Sequence, residues 1–227
     1  RLMTFSISGF CRKTGMIGVA ITTSSICVAS RCPWVRSGVG AATTQNITDP
    51  SLGNLMLDYL EQGFDVHQTI GKIIKNRQYI EYRQLALIDN KGNSASYTGS
   101  KILGKNTVIR DNDCIAAGNL LKSTKTVEEM SKKFSNSNNL HLAERLLLAL
   151  QAGVDAGGEE GPVHSAGLKV AFEHSWPLVD LRIDWADDKP ISQLINLWKS
   201  YQPQMTDYNA RAINPSEAPS YGVPGDK

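Results

Sequence analysis

The way strands and helices alternate in groups constrains this chain more than any other feature. Its first residues, Thr4-Phe5-Ser6-Ile7-Ser8-Gly9-Phe10, alternate in polarity and reach a polar turn at Arg12-Lys13-Thr14-Gly15. The chain then continues as the apolar run Met16-Ile17-Gly18-Val19-Ala20-Ile21. Two such runs about a glycine-bearing turn predict a β-hairpin. Residues 38–45, Gly38-Val39-Gly40-Ala41-Ala42-Thr43-Thr44-Gln45, predict a further strand, small enough for another backbone or a ligand to come close.

Two helices follow. Asp49-Pro50 reads as an N-cap and first helical position for 52–60, with Gly63 as the stop. Asp65 caps the second, in which Val66, Ile70, Ile73 and Ile74 share one face. Strands resume at 84–89, turn at Asn90-Lys91-Gly92 and return over 93–98, and 113–119 is a short buried strand ending at Gly118-Asn119. Helices are predicted over 126–134 and 140–156. In the second, His141, Glu144, Arg145 and Gln151 make a narrow polar stripe on an otherwise apolar surface, so that helix must be sandwiched inside the protein. Strands at 166–172 and 178–183 and a helix over 191–201 complete the pattern.

Hairpins ahead of helix pairs argue against strict βαβ alternation. They predict an α+β fold, a four-layer αββα sandwich of two antiparallel sheets with outer helices. The 227 residues contain no interior linker, so one domain is expected over 1–202. The remainder, 203–227, carries Pro203, Pro215, Pro219 and Pro224 without periodicity and is expected to be an extended arm or partner-contacting segment.

Composition removes several classes of function. Hydrophobic residues make up 41% and charged residues 20%, enough for a sizeable core. A net charge of +2 with no like-charged block lacks the footprint of a nucleic-acid binder. No apolar run approaches the ~18 residues of a membrane span, and the N-terminus lacks a signal pattern, so no membrane partner and a cytoplasmic location are expected. Cys11, Cys27, Cys32 and Cys114 contain no C-x-x-C pair and are expected as free thiols. His67, His141, His164 and His174 lack zinc-hydrolase spacing, and neither G-x-S-x-G nor a phosphate-binding glycine loop occurs. The expectation is therefore chemistry without a metal or cofactor.

Motifs spread over nearly the whole chain carry a family resemblance. They are Thr4-Phe5-Ser6-Ile7, Thr14-Gly15 with Gly18-Val19-Ala20, Pro33-Trp34, Gly38-Val39-Gly40-Ala41 with Thr44-Gln45, and Arg83-Gln84 with Asp89 and Gly92. They continue with Thr98-Gly99, Gly118-Asn119, Leu142-Ala143-Glu144-Arg145-Leu146, Ala156-Gly157-Gly158 and Ser165-Ala166. In these the chain resembles the bacterial domain-of-unknown-function family 1028, which is grouped with the N-terminal nucleophile (Ntn) hydrolases. The resemblance implies the αββα sandwich. It also implies a mechanism in which the first residue's side chain is the nucleophile and its α-amine, with pKa near ~7.7–8.0, is the base. Thr4 is the candidate, exposed as the first residue if Met3 is removed; Ser6, on the same face at i+2, is the nearest alternative hydroxyl. The same Thr4 suits an ordinary first-strand position, and Cys11 suits the core.

Acyl transfer also needs a group to hold the developing oxyanion and one to lower the nucleophile's pKa. Arg31 and Arg36 are the basic candidates; Arg31 precedes Cys32-Pro33-Trp34, a turn able to aim it inward, and is otherwise a surface arginine. Asn119 can donate to an oxyanion or simply form a turn. For substrate binding the candidates are Trp34 as a flat wall or core residue, and Thr44, Gln45 and Asn46 as hydrogen-bonding groups or a polar strand end. The loop 156–165 departs from the family: Glu159 stands where the family more often has Asp, and His164 where it has Gln. Glu159 either pairs with a substrate amine or is solvated, and Ser165 closes that loop as a substrate-binding candidate.

Two functions remain. One is a cofactor-free amidohydrolase acting on a small polar amide through Thr4. The other is a catalytically silent module that binds a small metabolite or partner in the same cleft, favoured by the three residues that precede Thr4 as written. A homo-oligomer, assembled through the helices and the proline-rich tail, is expected with either.

Overall fold

The computed structural model describes residues 3–222. The opening hairpin forms β1 (Thr4–Phe10) and β2 (Ile17–Thr23), followed by β3 (Pro33–Arg36) and β4 (Gly40–Asn46). After helices α1 (Ser51–Glu61) and α2 (Val66–Asn76) come β5 (Arg83–Asp89), β6 (Ser94–Thr98), β7 (Thr107–Asp111) and β8 (Cys114–Asn119). Then follow α3 (Lys125–Ser135), α4 (Leu142–Asp155), β9 (Ser165–Ala171), β10 (Pro177–Ile183) and α5 (Pro190–Ile213). The described residues form an α+β fold with two antiparallel sheets, ordered β10-β9-β2-β1-β8-β7 and β3-β4-β5-β6.

Side-chain parity sorts the core into three clusters. Phe5 and Ile7 of β1 point away from the smaller sheet and meet Met130 and Phe134 of α3 and Leu146 and Leu150 of α4. The opposite face of the larger sheet sends Ile17, Val19 and Ile21 of β2 and Ile115 and Ala117 of β8 onto Ala41, Ala86 and Ile88 of the smaller one. On the far side of that sheet, Ala42, Leu85 and Leu87 pack beneath Leu52 and Met56 of α1 and Ile70 and Ile73 of α2. Each fully buried large apolar side chain contributes about 1.5–3 kcal/mol. As its apolar surface requires, α4 lies on β1, β2 and β9 with α3 and α5 beside it.

The helix ends follow local chemistry. Asp65 forms a capping box with Gln68, Asp49 accepts from the Ser51 amide at 3.1 Å, and Gly63 leaves α1 at φ 95°. His141, expected within the polar stripe of α4, instead caps that helix, its Nδ1 accepting from the Ala143 amide at 3.1 Å. Gly40 does admit a close approach, but to Leu60 of α1 and the Ile88 carbonyl rather than to a ligand. All four cysteines are free; Cys32 and Cys114 are buried, Cys11 and Cys27 half-buried.

Three further features depart from expectation. Instead of the turn expected at Cys32-Pro33-Trp34, Pro33 and Trp34 open the edge strand β3, where Pro33 is tolerated at the first position. The edge strand β7 was not predicted: Val108 and Ile109 are adjacent and pack on opposite faces, so no alternation marks them. The arm expected from Pro203 is helical as far as Ile213, because α5 runs through Pro203. Pro203 is exposed, and so is Lys199, whose carbonyl the missing N–H leaves free, which lowers the cost of the lost hydrogen bond. The helix is held beyond it by Met205 against the core and before it by Tyr201, whose hydroxyl donates to the Leu178 carbonyl at 3.0 Å. The chain then folds back, Arg211 Nε donating to the Pro219 carbonyl at 3.0 Å; Pro224 lies outside the described residues.

Candidate functional site

Thr4 stands at the head of β1, inside the larger sheet, with Thr23 of β2 opposite it on one side and Asn119 of β8 on the other. Parity turns Thr4, Ser6 and Ser8 toward the smaller sheet, where the apolar cluster between the sheets gives way to buried polar groups. The Thr4 hydroxyl donates to Thr23 Oγ1 at 3.1 Å, and the Thr23 hydroxyl donates to the Met3 carbonyl.

A hydrogen-bonded ladder crosses between the sheets beneath Thr4. Ser6 Oγ donates to Gln45 Oε1 (2.9 Å), and Gln45 Nε2 donates to Gln84 Oε1 (2.8 Å). That same Gln84 oxygen accepts from Asn119 Nδ2 (3.2 Å), and Gln84 Nε2 donates to the Gly118 carbonyl (3.1 Å). Each of these side chains is buried, so their mutual pairing is what makes the placement tolerable. Asn119 Oδ1 is the exception: it is buried beside Thr4 and has no partner among the described residues.

Arg31 reaches this end only indirectly. It lies after a 3₁₀ turn, Val28–Ser30, that Cys27 enters at φ 57°. Its Nη1 donates to the carbonyls of Ile26 (2.5 Å) and Cys27 (2.8 Å), and its Nη2 to Ser25 Oγ (2.6 Å). Ser25 Oγ in turn lies 3.4 Å from Thr23 Oγ1. The guanidinium thus folds the loop after β2 and communicates with Thr4 through two hydroxyls.

Glu159 approaches from another direction. After α4 the paired Gly157 and Gly158 take φ of 117° and 58°, a turn that side chains disfavour, and swing the chain back along the extension of β8. Glu159 bridges to Leu121, and the Glu160 amide donates to the Leu120 carbonyl at 3.2 Å. The Glu159 carboxyl is buried, and among the described residues neither oxygen has a hydrogen-bond partner in good geometry. Burial pushes its pKa up to about 9, offset in part by the backbone amide of Ser24. The residue also borders a cavity of about 390 Å³ walled by Phe5, Val154, Val163 and Ile191, with Lys189 at its edge.

Of the residues singled out from sequence, Thr4, Ser6, Asn119 and Gln45 come together, with Glu159 near the same strand end. The others lie elsewhere. Thr44 faces outward and donates to the Asp49 carbonyl (3.2 Å), holding the start of α1. Trp34 packs on Gly53 of α1 and donates to the Arg31 carbonyl at 3.2 Å, on the outer side of the smaller sheet. Asn46 bonds the Tyr82 carbonyl (2.8 Å), and Arg36 pairs with Asp58 and Glu61. Ser165 fastens the loop after β2, donating to the Ser25 carbonyl (2.6 Å) and accepting from the Val28 amide (3.1 Å). Sequence reasoning missed Gln84, Thr23 and Ser25; a glutamine at the head of the apolar run 84–88 was the available signal for the first.

The arrangement defines an α+β protein with a buried, hydroxyl- and amide-lined site at one end of its two sheets. Residues 4–194 match the model of a family of unknown function, DUF1028, and the chain belongs to that family. The chain is also similar to a crystal structure, that of protein SPO2555 from Silicibacter pomeroyi, itself assigned to DUF1028. The two are 31% identical with a TM-score of 0.82, over 88% of this chain and 89% of that one. No curated protein matches the chain.

Proposed function

We propose that this chain is an N-terminal nucleophile hydrolase that cleaves the C–N bond of a small polar amide, built on a four-layer αββα sandwich. The three apolar clusters, helix on sheet, sheet on sheet and sheet on helix, support the layered reading. One observation carries the chemistry: Thr4, at the head of a central strand, aims its hydroxyl between the sheets next to Thr23 and Asn119.

With Thr4 as first residue, its α-amine accepts the hydroxyl proton as Oγ1 attacks the substrate carbonyl carbon. An ester to Oγ1 forms, the C–N bond breaks, and the amine returns the proton to the departing nitrogen. Water then adds to the ester, restoring the hydroxyl and releasing the acid. Asn119 is held by Gln84 through one N–H, and its second N–H serves the oxyanion. Its unpartnered Oδ1 accepts from the substrate's own N–H.

The test is turnover of a panel of small amides by protein expressed from Met3. Thr4→Ala should lose at least about 10³ in kcat, and Thr4→Ser should retain measurable turnover. Undiminished hydrolysis by Thr4→Ala would remove Thr4 from the mechanism.

A second reading rests on Met3, which is buried, accepts from the Ser24 amide at 3.3 Å and donates to Ser24 Oγ at 3.3 Å. With Met3 in place Thr4 carries an amide, and the chain is a small-metabolite or partner-binding module. Thermal stabilisation by ligands that emerge unconverted would favour it.

A further inference from the structure

We infer that Glu159 receives the α-ammonium of Thr4 when Thr4 is the first residue, and that Met3 fills this receptor slot while it remains attached. The inference rests on the reading above that Thr4 becomes N-terminal. It assigns a positioning role to a residue that reading leaves unused.

Beyond Thr4 the larger sheet has β2 continuing into Ser24 on one side and β8 continuing into Leu120 and Leu121 on the other. Glu159 is bridged to Leu121, and its carboxyl faces the backbone of Ser24. It therefore sits across the head of β1, where that strand would continue. Met3 occupies the same place: its carbonyl accepts from the Ser24 amide, and its terminal methyl lies 2.6 Å from the point a Cβ on Gly161 would take. Gly161 has to be small for the methionine to fit.

A buried carboxyl with no well-formed hydrogen bond to either oxygen is costly, and a structure that keeps one usually has a partner for it. The cations nearby are otherwise placed. Arg31 is spent on the loop carbonyls and Ser25, and Lys122 lies alongside Gly157. Lys189 lines the same cavity as Glu159 but lies 3.9 Å from the Asp188 carboxylate, and His164 is tied to Ala186. Removing Met3 creates one new cation, at the head of β1, and vacates the space of one methionine side chain against Gly161, two residues from Glu159. A carboxylate there fixes the amine next to Oγ1 and stabilises the ammonium that forms when the free amine accepts the hydroxyl proton.

The test uses protein released from a cleavable N-terminal fusion that ends immediately before Thr4, so the amine exists whether or not cells remove Met3. Its pKa is read from the pH dependence of acetylation by acetic anhydride, with mass spectrometry of the N-terminal peptide. Glu159→Gln should lower that pKa by about one unit or more, a tenfold change in the equilibrium, while Glu160→Gln should leave it unmoved. An unchanged pKa in folded Glu159→Gln overturns the inference, whatever the activity. Should that variant fail to fold, the wild type decides: a form beginning at Met3 should lose stability steadily as pH rises from about 4.5 toward about 9, and a form beginning at Thr4 should lose none until its α-amine titrates, above about 7.7. Equal pH dependence in the two forms would also overturn it. Thr4→Ala keeps the α-amine and discards the hydroxyl, so loss of the nucleophile reading alone would leave its amine pKa still sensitive to Glu159.

Discussion

Replacing Gln84 with leucine removes the hub of the ladder between the sheets. The side chain is fully buried and makes three hydrogen bonds, accepting from Gln45 and Asn119 and donating to the Gly118 carbonyl. Leucine nearly conserves the volume but leaves three buried polar groups without this partner. Orphaned groups of this kind cost about 1–3 kcal/mol each. Burial of the new apolar surface returns about 1–2 kcal/mol. The net loss is expected at about 1–8 kcal/mol, set against the ~5–15 kcal/mol that holds a typical domain. Guanidinium unfolding followed by circular dichroism and tryptophan fluorescence measures it, the two probes together testing for a single transition. A double-mutant cycle with Asn119→Leu should show a coupling of at least about 1 kcal/mol, because the Gln84–Asn119 hydrogen bond is lost in either single variant. A Gln84→Leu protein within about 0.5 kcal/mol of wild type, additive with Asn119→Leu, would refute the reasoning.

Further outcomes follow from particular contacts. Glu159 holds its proton to about pH 9 when folded but only to its ordinary 4.5 when unfolded, so between these values the folded state binds the extra proton. Stability of the form beginning at Met3 should therefore fall as pH rises through that window, by up to about 1.4 kcal/mol per pH unit, and Glu159→Gln should flatten the slope in urea titrations. Gly53→Ala should destabilise by about 1–3 kcal/mol although alanine is the better helix former, because the new methyl would stand 2.0 Å from the Trp34 ring. Pro203→Ala should stabilise by about 1–3 kcal/mol in thermal unfolding, since it restores a hydrogen bond inside α5.

The sequence was legible where periodicity was strong. The alternation of Thr4 through Phe10 fixes which residues of β1 face each layer, and the apolar breadth of α4 fixes its sandwiched position. Thr44 shows where such reading stops. In a strand of glycine, alanine and threonine both faces look alike, so parity is undetermined, and only its pairing with β5 turns Gln45 inward and Thr44 out. The partnership of Gln84 with Asn119 joins residues 35 apart in the chain and on different sheets, which no local pattern encodes. Pro203 reads locally as a helix stop, and the contacts of Tyr201 and Met205 override it.

The central claim is that the Thr4 hydroxyl is the acylated nucleophile. Intact and peptide mass spectrometry of untagged protein expressed from Met3, before and after exposure to a β-lactone that esterifies activated hydroxyls, tests it most directly. The account predicts a mature chain beginning at Thr4 and a single ester on Thr4 that Thr4→Ala abolishes. A retained Met3 with no adduct, or an ester carried by another residue and unaffected by Thr4→Ala, would contradict it.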